Sequence, residues 1–244
     1  GGYWVGFGPG PDCPYIDIKG SWNDYLASRS RSLRKQLRRN SSKLSAGGDI
    51  NLRVVDTWPA VKEGLINYND VEQRSWKPGK NLGVAKTAAH WQFYQAVVER
   101  LGPKQEVEFR FLEYNGQRIA ATFGIVRAGR FAALHIAHDS QFDQYSPGFI
   151  LSALELEDIY SKGKYTEYDF LGGFLSNKTT WSTATRSTGD LYAFSRTPRL
   201  TIYYSWHFVA IPKLKIIFRR LGIFDITLKA IQHVTDLRER WKNK

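Results

Sequence analysis

Between residues 21 and 45 the apolar positions Trp22, Tyr25, Leu26, Leu33, Leu37 and Leu44 recur near helical spacing, while Arg31, Arg34, Lys35, Arg38 and Arg39 fill the other faces. This predicts a basic amphipathic helix that stops near Gly47-Gly48. A strand over Asn51 to Val55 follows. Thr57 can then cap a helix that runs to about Trp76 with Val61, Leu65 and Tyr68 inward, and Ala85 to Leu101 reads as a further helix closed by Gly102-Pro103. Next the period drops to two: Val107, Phe109 and Phe111 alternate with Glu108, Arg110 and Leu112. Asn115-Gly116 supplies the positive φ angles of a tight hairpin into the strand Arg118 to Val126, and Ala128-Gly129-Arg130 turns into Phe131 to Ala137, so residues 106–138 read as an antiparallel meander.

At Ser146-Pro147-Gly148 a helix is predicted to start, with Ser146 as N-cap and Pro147 at the first helical position, an inner side of Leu151, Leu154 and Ile159, and a stop at Gly163. Tyr165 to Phe170 reads as a short strand, Asn177 to Trp181 as a helical turn and Asp190 to Ser195 as a last strand. After Pro198, helices are expected over Tyr203 to Arg220 and Phe224 to Trp241. Residues 1–20, rich in Gly and Pro, read as a linker or the end of a preceding domain, with only Tyr15 to Ile18 extended. The expected organisation is therefore a domain over 21–195 and a basic, aromatic helical extension over 196–244.

Composition narrows the class. With 244 residues, 42 % hydrophobic and 24 % charged, the chain is that of a folded globule, and disorder is excluded as its main state. No run of about eighteen apolar residues and no secretory signal is present, so a cytoplasmic location is expected, with peripheral attachment at the inner membrane surface as an extension of it. A lone Cys13 permits neither an internal disulfide nor a cysteine-based zinc site, and no metal is expected. The Gly-Gly opening and the lack of any Met fit a chain cut from something longer. The net charge of +12 is concentrated: residues 21–45 carry +6, residues 196–244 carry +8, and the rest sums to −2. Acidic ligands or surfaces are thus expected at particular faces.

Two constellations carry candidate chemistry. The free N–H groups of a helix beginning at Ser146-Pro147-Gly148 would favour a phosphate, and Gly148 would let it approach closely; a plain helix start reads the same way. Tyr168-Asp169-Phe170-Leu171-Gly172-Gly173, followed by Lys178, presents a carboxylate and a cation at a strand end, where open α/β folds place ligands; a Gly-Gly turn with Asp169 holding backbone amides is the structural alternative. His135 and His138 fall on opposite faces of their strand and read as structural. The hydrolase elbow, the zincin motif and the full nucleotide-binding P-loop are all missing.

Glu72-Gln73-Arg74-Ser75-Trp76-Lys77, then Asp139, the Gln144-Tyr145-Ser146-Pro147-Gly148 helix start, Tyr168-Asp169-Phe170, Gly172-Gly173 and Lys178 occur in the order and rough spacing of one family. Over residues 21–195 the chain resembles the GNAT-superfamily acyltransferases of the BcsL/CelD type, the BioF2-like acetyltransferase domain, which is similar in turn to the FemABX peptidyltransferases. The resemblance implies an α+β GNAT fold: a twisted, mixed, mostly antiparallel sheet flanked by helices, here with a C-terminal helical extension. It also implies a unit often found as the C-terminal half of a longer chain, with the junction near Cys13-Pro14-Tyr15 and Ser21-Trp22. By the same resemblance an acyl-CoA, acetyl-CoA in the first instance, lies in the sheet's cleft with its pyrophosphate on Gln144, Ser146, Pro147 and Gly148. Pro147 stands where the usual GNAT phosphate loop has its first glycine.

Acyl transfer needs two substrates positioned, a proton removed and an oxyanion stabilised. Asp139 is expected as base or acceptor-orienting group, Asp169 as the second carboxylate, Lys178 as a cation for phosphate or oxyanion, and Tyr145 as proton donor to the leaving thiolate. Trp76, Lys77, Gly172 and Gly173 are expected at the acceptor. The leading expectation is transfer of an acyl group from acyl-CoA to an amine or hydroxyl of a sugar, nucleotide-sugar or polysaccharide precursor. Two alternatives stand: a FemABX-like transferase using aminoacyl-tRNA, and a non-catalytic GNAT-like module that binds nucleic acid or an anionic membrane. The aromatic and basic extension after residue 196 suits an anionic membrane surface.

Overall fold

The computed structural model describes residues 2–172 and 176–220. In chain order these form β1 (Tyr3–Pro9), β2 (Cys13–Asp17), α1 (Trp22–Ser28), α2 (Arg31–Ser45), β3 (Ile50–Val55), α3 (Ala60–Gln73), α4 (Ala88–Leu101), β4 (Val107–Tyr114), β5 (Gln117–Arg127), β6 (Arg130–His138), α5 (Pro147–Lys162), β7 (Glu167–Asp169), α6 (Ser176–Trp181), β8 (Ala184–Arg186), β9 (Gly189–Ser195), α7 (Pro198–Tyr204) and α8 (Ile211–Arg220). A π-helical stretch, Ser205–Ala210, joins α7 to α8. Gly173 and the helix expected over 224–241 lie outside the described residues.

Pro11–Ser187 is one compact unit of α+β architecture. Its seven-stranded sheet has the order β3-β4-β5-β6-β7-β2-β8, and every neighbouring pair is antiparallel except β6 and β7. The meander expected from the alternating pattern is its centre. Asn115 and Gly116 take the expected positive φ, 48° and 79°, and the second turn is left-handed as well, with Ala128 and Gly129 at 49° and 77°. Helices cover both faces: α3 and α4 pack on Phe109, Phe111 and Phe123, whereas α1, α2 and α5 pack on Ile16, Phe131 and Tyr168. Burying each of these aromatic rings contributes about 1.5–3 kcal/mol.

On the α5 side the sheet also buries charge. Arg110 is fully buried; its Nε donates to Glu108 Oε1 at 2.6 Å, and its terminal nitrogens donate to Asp158 Oδ2 at 2.8 Å and to the Tyr165 hydroxyl at 3.2 Å. Glu155, also fully buried, accepts from the Tyr168 hydroxyl at 3.0 Å. Burial pushes the Glu155 carboxyl up to about 7, against the pull of Arg110.

Gly124 lies beneath the Phe131 ring, and a Cβ there would collide with it. Phe131 is itself fully buried, so the ring has little room to yield. Gly124→Ala is expected to cost about 1–3 kcal/mol in denaturant unfolding. An unchanged midpoint would show that the ring can move aside.

Among the described residues, 2–10 and 188–220 make the second unit. There β1 and β9 form an antiparallel ribbon running from Tyr3↔Ser195 to Pro9↔Gly189. Trp4 stacks on Tyr204 at 5.6 Å and its indole donates to Thr201 Oγ1 at 3.0 Å, while Phe208 packs on Tyr192 and Phe194.

Several expectations change. The segment expected to be a linker over 1–20 holds two strands; β2 lies between β7 and β8, and the Pro14 carbonyl accepts from the Phe170 N–H at 3.2 Å. The single basic helix is two, because Arg29 is extended (ψ 161°) and Ser30 begins a new helix by accepting from the Leu33 N–H at 3.2 Å. Thr57 does not cap α3, whose N-cap is Pro59. Ser146 precedes α5 in the left-handed region at φ 54°, and its side chain makes no cap bond.

Candidate active site

The parallel strands β6 and β7 pair only from Arg130↔Glu167 to Ala132↔Asp169, and β6 then runs on to His138 with β5 as its ladder partner. Sheet strands that part in this way open a cleft. Beside the opening the β5–β6 register shifts: Phe123 faces His135 and Gly124 faces Ala133, which makes Leu134 the extra residue of a bulge. The bulge turns both Leu134 and His135 toward α3 and α4, where Leu134 joins the core and His135 meets the rings of Tyr68 and Tyr94 at 6.4 and 5.1 Å.

A polar cluster surrounds His135. Its Nε2 is 2.7 Å from the Tyr94 hydroxyl. On α3, Tyr68 and Glu72 are one turn apart, and the Tyr68 hydroxyl donates to Glu72 Oε1 at 2.9 Å. The same oxygen accepts from Lys77 Nζ at 2.8 Å, while Oε2 accepts from the Val84 N–H at 2.6 Å. Glu72 is 1 % exposed, so this carboxylate is held on all sides; Tyr94, Lys77 and His135 are half-buried and form the accessible rim. Burial, aided by the positive Lys77, lowers the His135 imidazole to about 4, with Glu72 opposing. The ring is therefore neutral at pH 7, a state that can accept a proton.

A folded-state value below the ordinary 6.5 means that the contribution of His135 to stability is present above about 6.5 and is lost as pH falls towards 4. Histidine NMR titration is expected to show His135 changing near pH 4. A midpoint above 6 would show that water reaches the ring freely.

The residues singled out by sequence fall into two further groups. At the end of β6, Asp139 is fully buried; its Oδ2 accepts from Arg74 Nε at 2.7 Å and its Oδ1 from the Gln141 N–H at 3.0 Å. Arg74 also receives the Ser140 N–H on its carbonyl at 3.0 Å. Two segments far apart in sequence are thus locked together, and the expected base at Asp139 has both oxygens engaged in holding the turn that leads to α5. Tyr145 packs with Leu44, Leu112 and Ile150. Gln144 is exposed, Pro147 buried, and a Cβ on Gly148 would sit 3.5 Å from His138 Nδ1. His138 Nε2 lies 2.9 Å from Asp143 Oδ1. Pro147 has no N–H, and the Phe149 and Ile150 N–H groups donate to the Ser146 carbonyl at 3.0 and 3.3 Å, so with no side-chain cap the Gly148 N–H is the group of this first turn left to meet an anion.

The second group closes the turn after β7. Asp169 Oδ1 accepts from the Leu171 N–H at 2.8 Å, and Lys178 Nζ donates to the carbonyls of Phe170, Leu171 and Gly172 at 3.1, 2.8 and 2.8 Å. Burial lowers the Lys178 ammonium. Its proximity to three carbonyls makes it a staple of this turn. Trp76 is half exposed under Lys80, whose ammonium lies 5.1 Å from the ring, and Lys77 belongs to the His135 cluster.

The His135–Tyr94 pair and the buried Glu72 with its partners Tyr68 and Lys77 escaped the sequence reading as a cluster. A signal existed: Glu72 continues the inner stripe of α3 from Val61, Leu65 and Tyr68, and a carboxylate on an apolar stripe must find partners. The bulge that turns His135 inward had no comparable mark. Among the described residues no group of His, Cys, Asp and Glu stands close enough to hold a metal ion.

A sheet parted between two parallel strands, with an uncapped helix start following the longer one, defines the class of GNAT acyl-transfer folds. The chain belongs to the acetyltransferase (GNAT) domain family, whose model matches residues 31–177. Among solved structures it is similar to FemX (10 % identity, TM-score 0.55, covering 78 % of this chain and 63 % of that one). It is also similar to L-PGS from Bacillus licheniformis (14 %, 0.52, 82 % and 65 %) and to a conserved protein of unknown function from Bacteroides thetaiotaomicron (11 %, 0.51, 78 % and 62 %). The chain spans less than two thirds of the length of each of these. No protein of curated function matches it by sequence.

Proposed function

We propose that the chain transfers an acyl group from an acyl-CoA thioester, acetyl-CoA being the simplest, to an amine or hydroxyl of an acceptor such as an amino sugar. The observation that carries this reading is the end of β6–β7 pairing at Ala132↔Asp169, beside the bulge that presents His135. The donor's pyrophosphate would meet the first turn of α5 at Ser146 and Gly148. The acceptor nitrogen or oxygen forms the new bond to the carbonyl carbon, the carbon–sulfur bond breaks, and the acceptor proton passes to neutral His135. The leaving thiolate takes a proton from Tyr94 or water. Glu72, through Lys77 and Tyr68, fixes the rim of the pocket.

One observation favours a second donor. The cations Arg31, Arg34, Lys35, Arg38, Arg39 and Lys43 of α2 are all exposed, along a helix of about 22 Å. That is more positive surface than one CoA needs, and it suits the phosphates of an aminoacyl-tRNA.

Thermal shift separates the two. Acetyl-CoA and longer acyl-CoAs are expected to raise the unfolding temperature, with thiol release once an amino sugar is added. Stabilisation by aminoacyl-tRNA alone, lost in Arg34→Glu/Arg38→Glu and falling steeply with salt, would replace the thioester by the ester donor. Stabilisation by neither would defeat acyl transfer at this site.

A further inference from the structure

Among its described residues the ribbon–helix unit leaves a broad apolar surface uncovered. Its inner positions Thr201, Tyr204 and Phe208 face Trp4, Tyr192 and Phe194. Its outer positions Ile202, Tyr203 and Trp206 are 71 %, 48 % and 56 % exposed, and Ile216 and Ile217 on α8 are exposed as well. Residues of this size are costly to leave in water, and a contiguous set of them marks an interaction surface. Ile202, Tyr203 and Trp206 also line an open groove of about 870 Å³ together with Phe194, Leu200 and Arg199.

The charge of this stretch of sequence selects its partner. Residues 196–220 contain six cations, Arg196, Arg199, Lys213, Lys215, Arg219 and Arg220, and neither Asp nor Glu. A nucleic acid would satisfy the cations and leave Ile202 and Trp206 in water. A bilayer with anionic headgroups satisfies both, since Trp and Tyr favour the headgroup boundary and Lys and Arg meet its phosphates. Among the described residues no helix is long and apolar enough to cross a membrane, so the fitting arrangement lies along the surface.

We infer that α7, the π-helical stretch and α8 dock the protein on an anionic lipid bilayer, with Ile202, Tyr203 and Trp206 entering the headgroup boundary and Arg199 and Lys213 meeting lipid phosphates. This docking does not depend on the acyl-transfer reading.

Sedimentation of the full chain with vesicles tests it. Binding is expected to vesicles of phosphatidylcholine with about 30 mol % phosphatidylglycerol and to be weak on pure phosphatidylcholine. Ile202→Asp/Trp206→Asp is expected to lower the bound fraction about tenfold, and Arg199→Ala/Lys213→Ala severalfold, with circular dichroism unchanged. The Arg34→Glu/Arg38→Glu pair on α2 provides a charge control and is expected to bind vesicles almost as the wild type does. Failure to bind phosphatidylglycerol vesicles overturns the inference. So does loss of binding in the α2 pair but not in the Ile202/Trp206 pair, which would show unspecific attraction. Dimerisation abolished by Ile202→Asp/Trp206→Asp without vesicle binding, or salt-sensitive RNA binding in place of vesicle binding, would assign the surface to those partners instead.

Discussion

Replacing His135 with alanine is expected to lower the turnover of acyl transfer by about 10²–10⁴, the usual contribution of a positioned base. His135→Gln, which keeps a group able to reach the Tyr94 hydroxyl, is expected to lose nearly as much, because an amide cannot take the acceptor proton. The pH profile gives a finer test. In the wild type, activity that depends on neutral imidazole is expected to hold down to about pH 4 and to fall below it. Lys77 helps keep that value low, so Lys77→Met removes a nearby positive charge and moves the acid limb upward. Turnover is to be followed with whichever donor stabilises the protein. Retention of activity within a factor of about ten in His135→Ala would show that the base lies elsewhere, and would point to His138, beside Gly148 and paired with Asp143.

Arg110→Met is expected to destabilise the protein by about 3–5 kcal/mol, the cost of leaving buried charge without its partner. Methionine fills much of the same space, so the loss is electrostatic. Glu108, 1 % exposed, and fully buried Glu155 are the groups left exposed to it. The pH dependence follows from the sign of the Glu155 shift. Its folded value of about 7 lies above the ordinary 4.5, so its stabilising contribution is complete below 4.5 and is lost as pH rises through 7. Removing Arg110 raises that value further. The deficit of Arg110→Met relative to wild type is therefore expected to be larger at pH 8 than at pH 5 in urea unfolding. An equal deficit at both would mean that Glu155 does not feel the guanidinium.

Elements whose pattern is local were legible in the chain. The meander follows from alternation and from Asn115, Gly116 and Gly129, residue types that accept positive φ; the left-handed Ala128 is set by the turn and not by its own preference. Helix α5 ends at Gly163 as expected, since glycine tolerates the left-handed stop. Strand β2 was legible in part, as the extended Tyr15 to Ile18; Pro14, which has no N–H to give a ladder, made its start read as a breaker, although its carbonyl accepts from Phe170. The candidate site was legible in its segments and not in its side chains. Glu72 to Lys77, Asp139 and the Ser146-Pro147-Gly148 helix start are indeed brought near β6. Yet Asp139 and Lys178 spend their polar atoms on backbone and Arg74, a matter of three-dimensional partners that spacing cannot reveal. His135 owes its orientation to a one-residue bulge, and a bulge changes no residue type.

The position of β2 also sets an order of events. Tyr15 and Ile16 pair with Asp169 and Tyr168, and Cys13 with Arg186, so this segment of the unit finds its ladder only among residues made near the unit's other end. The meander can assemble from contacts between neighbours in sequence, whereas the β7-β2-β8 half has to close a loop almost as long as the unit itself. During synthesis, the sheet half that borders the cleft is thus the last to form, and the opening beside His135 acquires its second wall only when residues beyond Asp169 have been made.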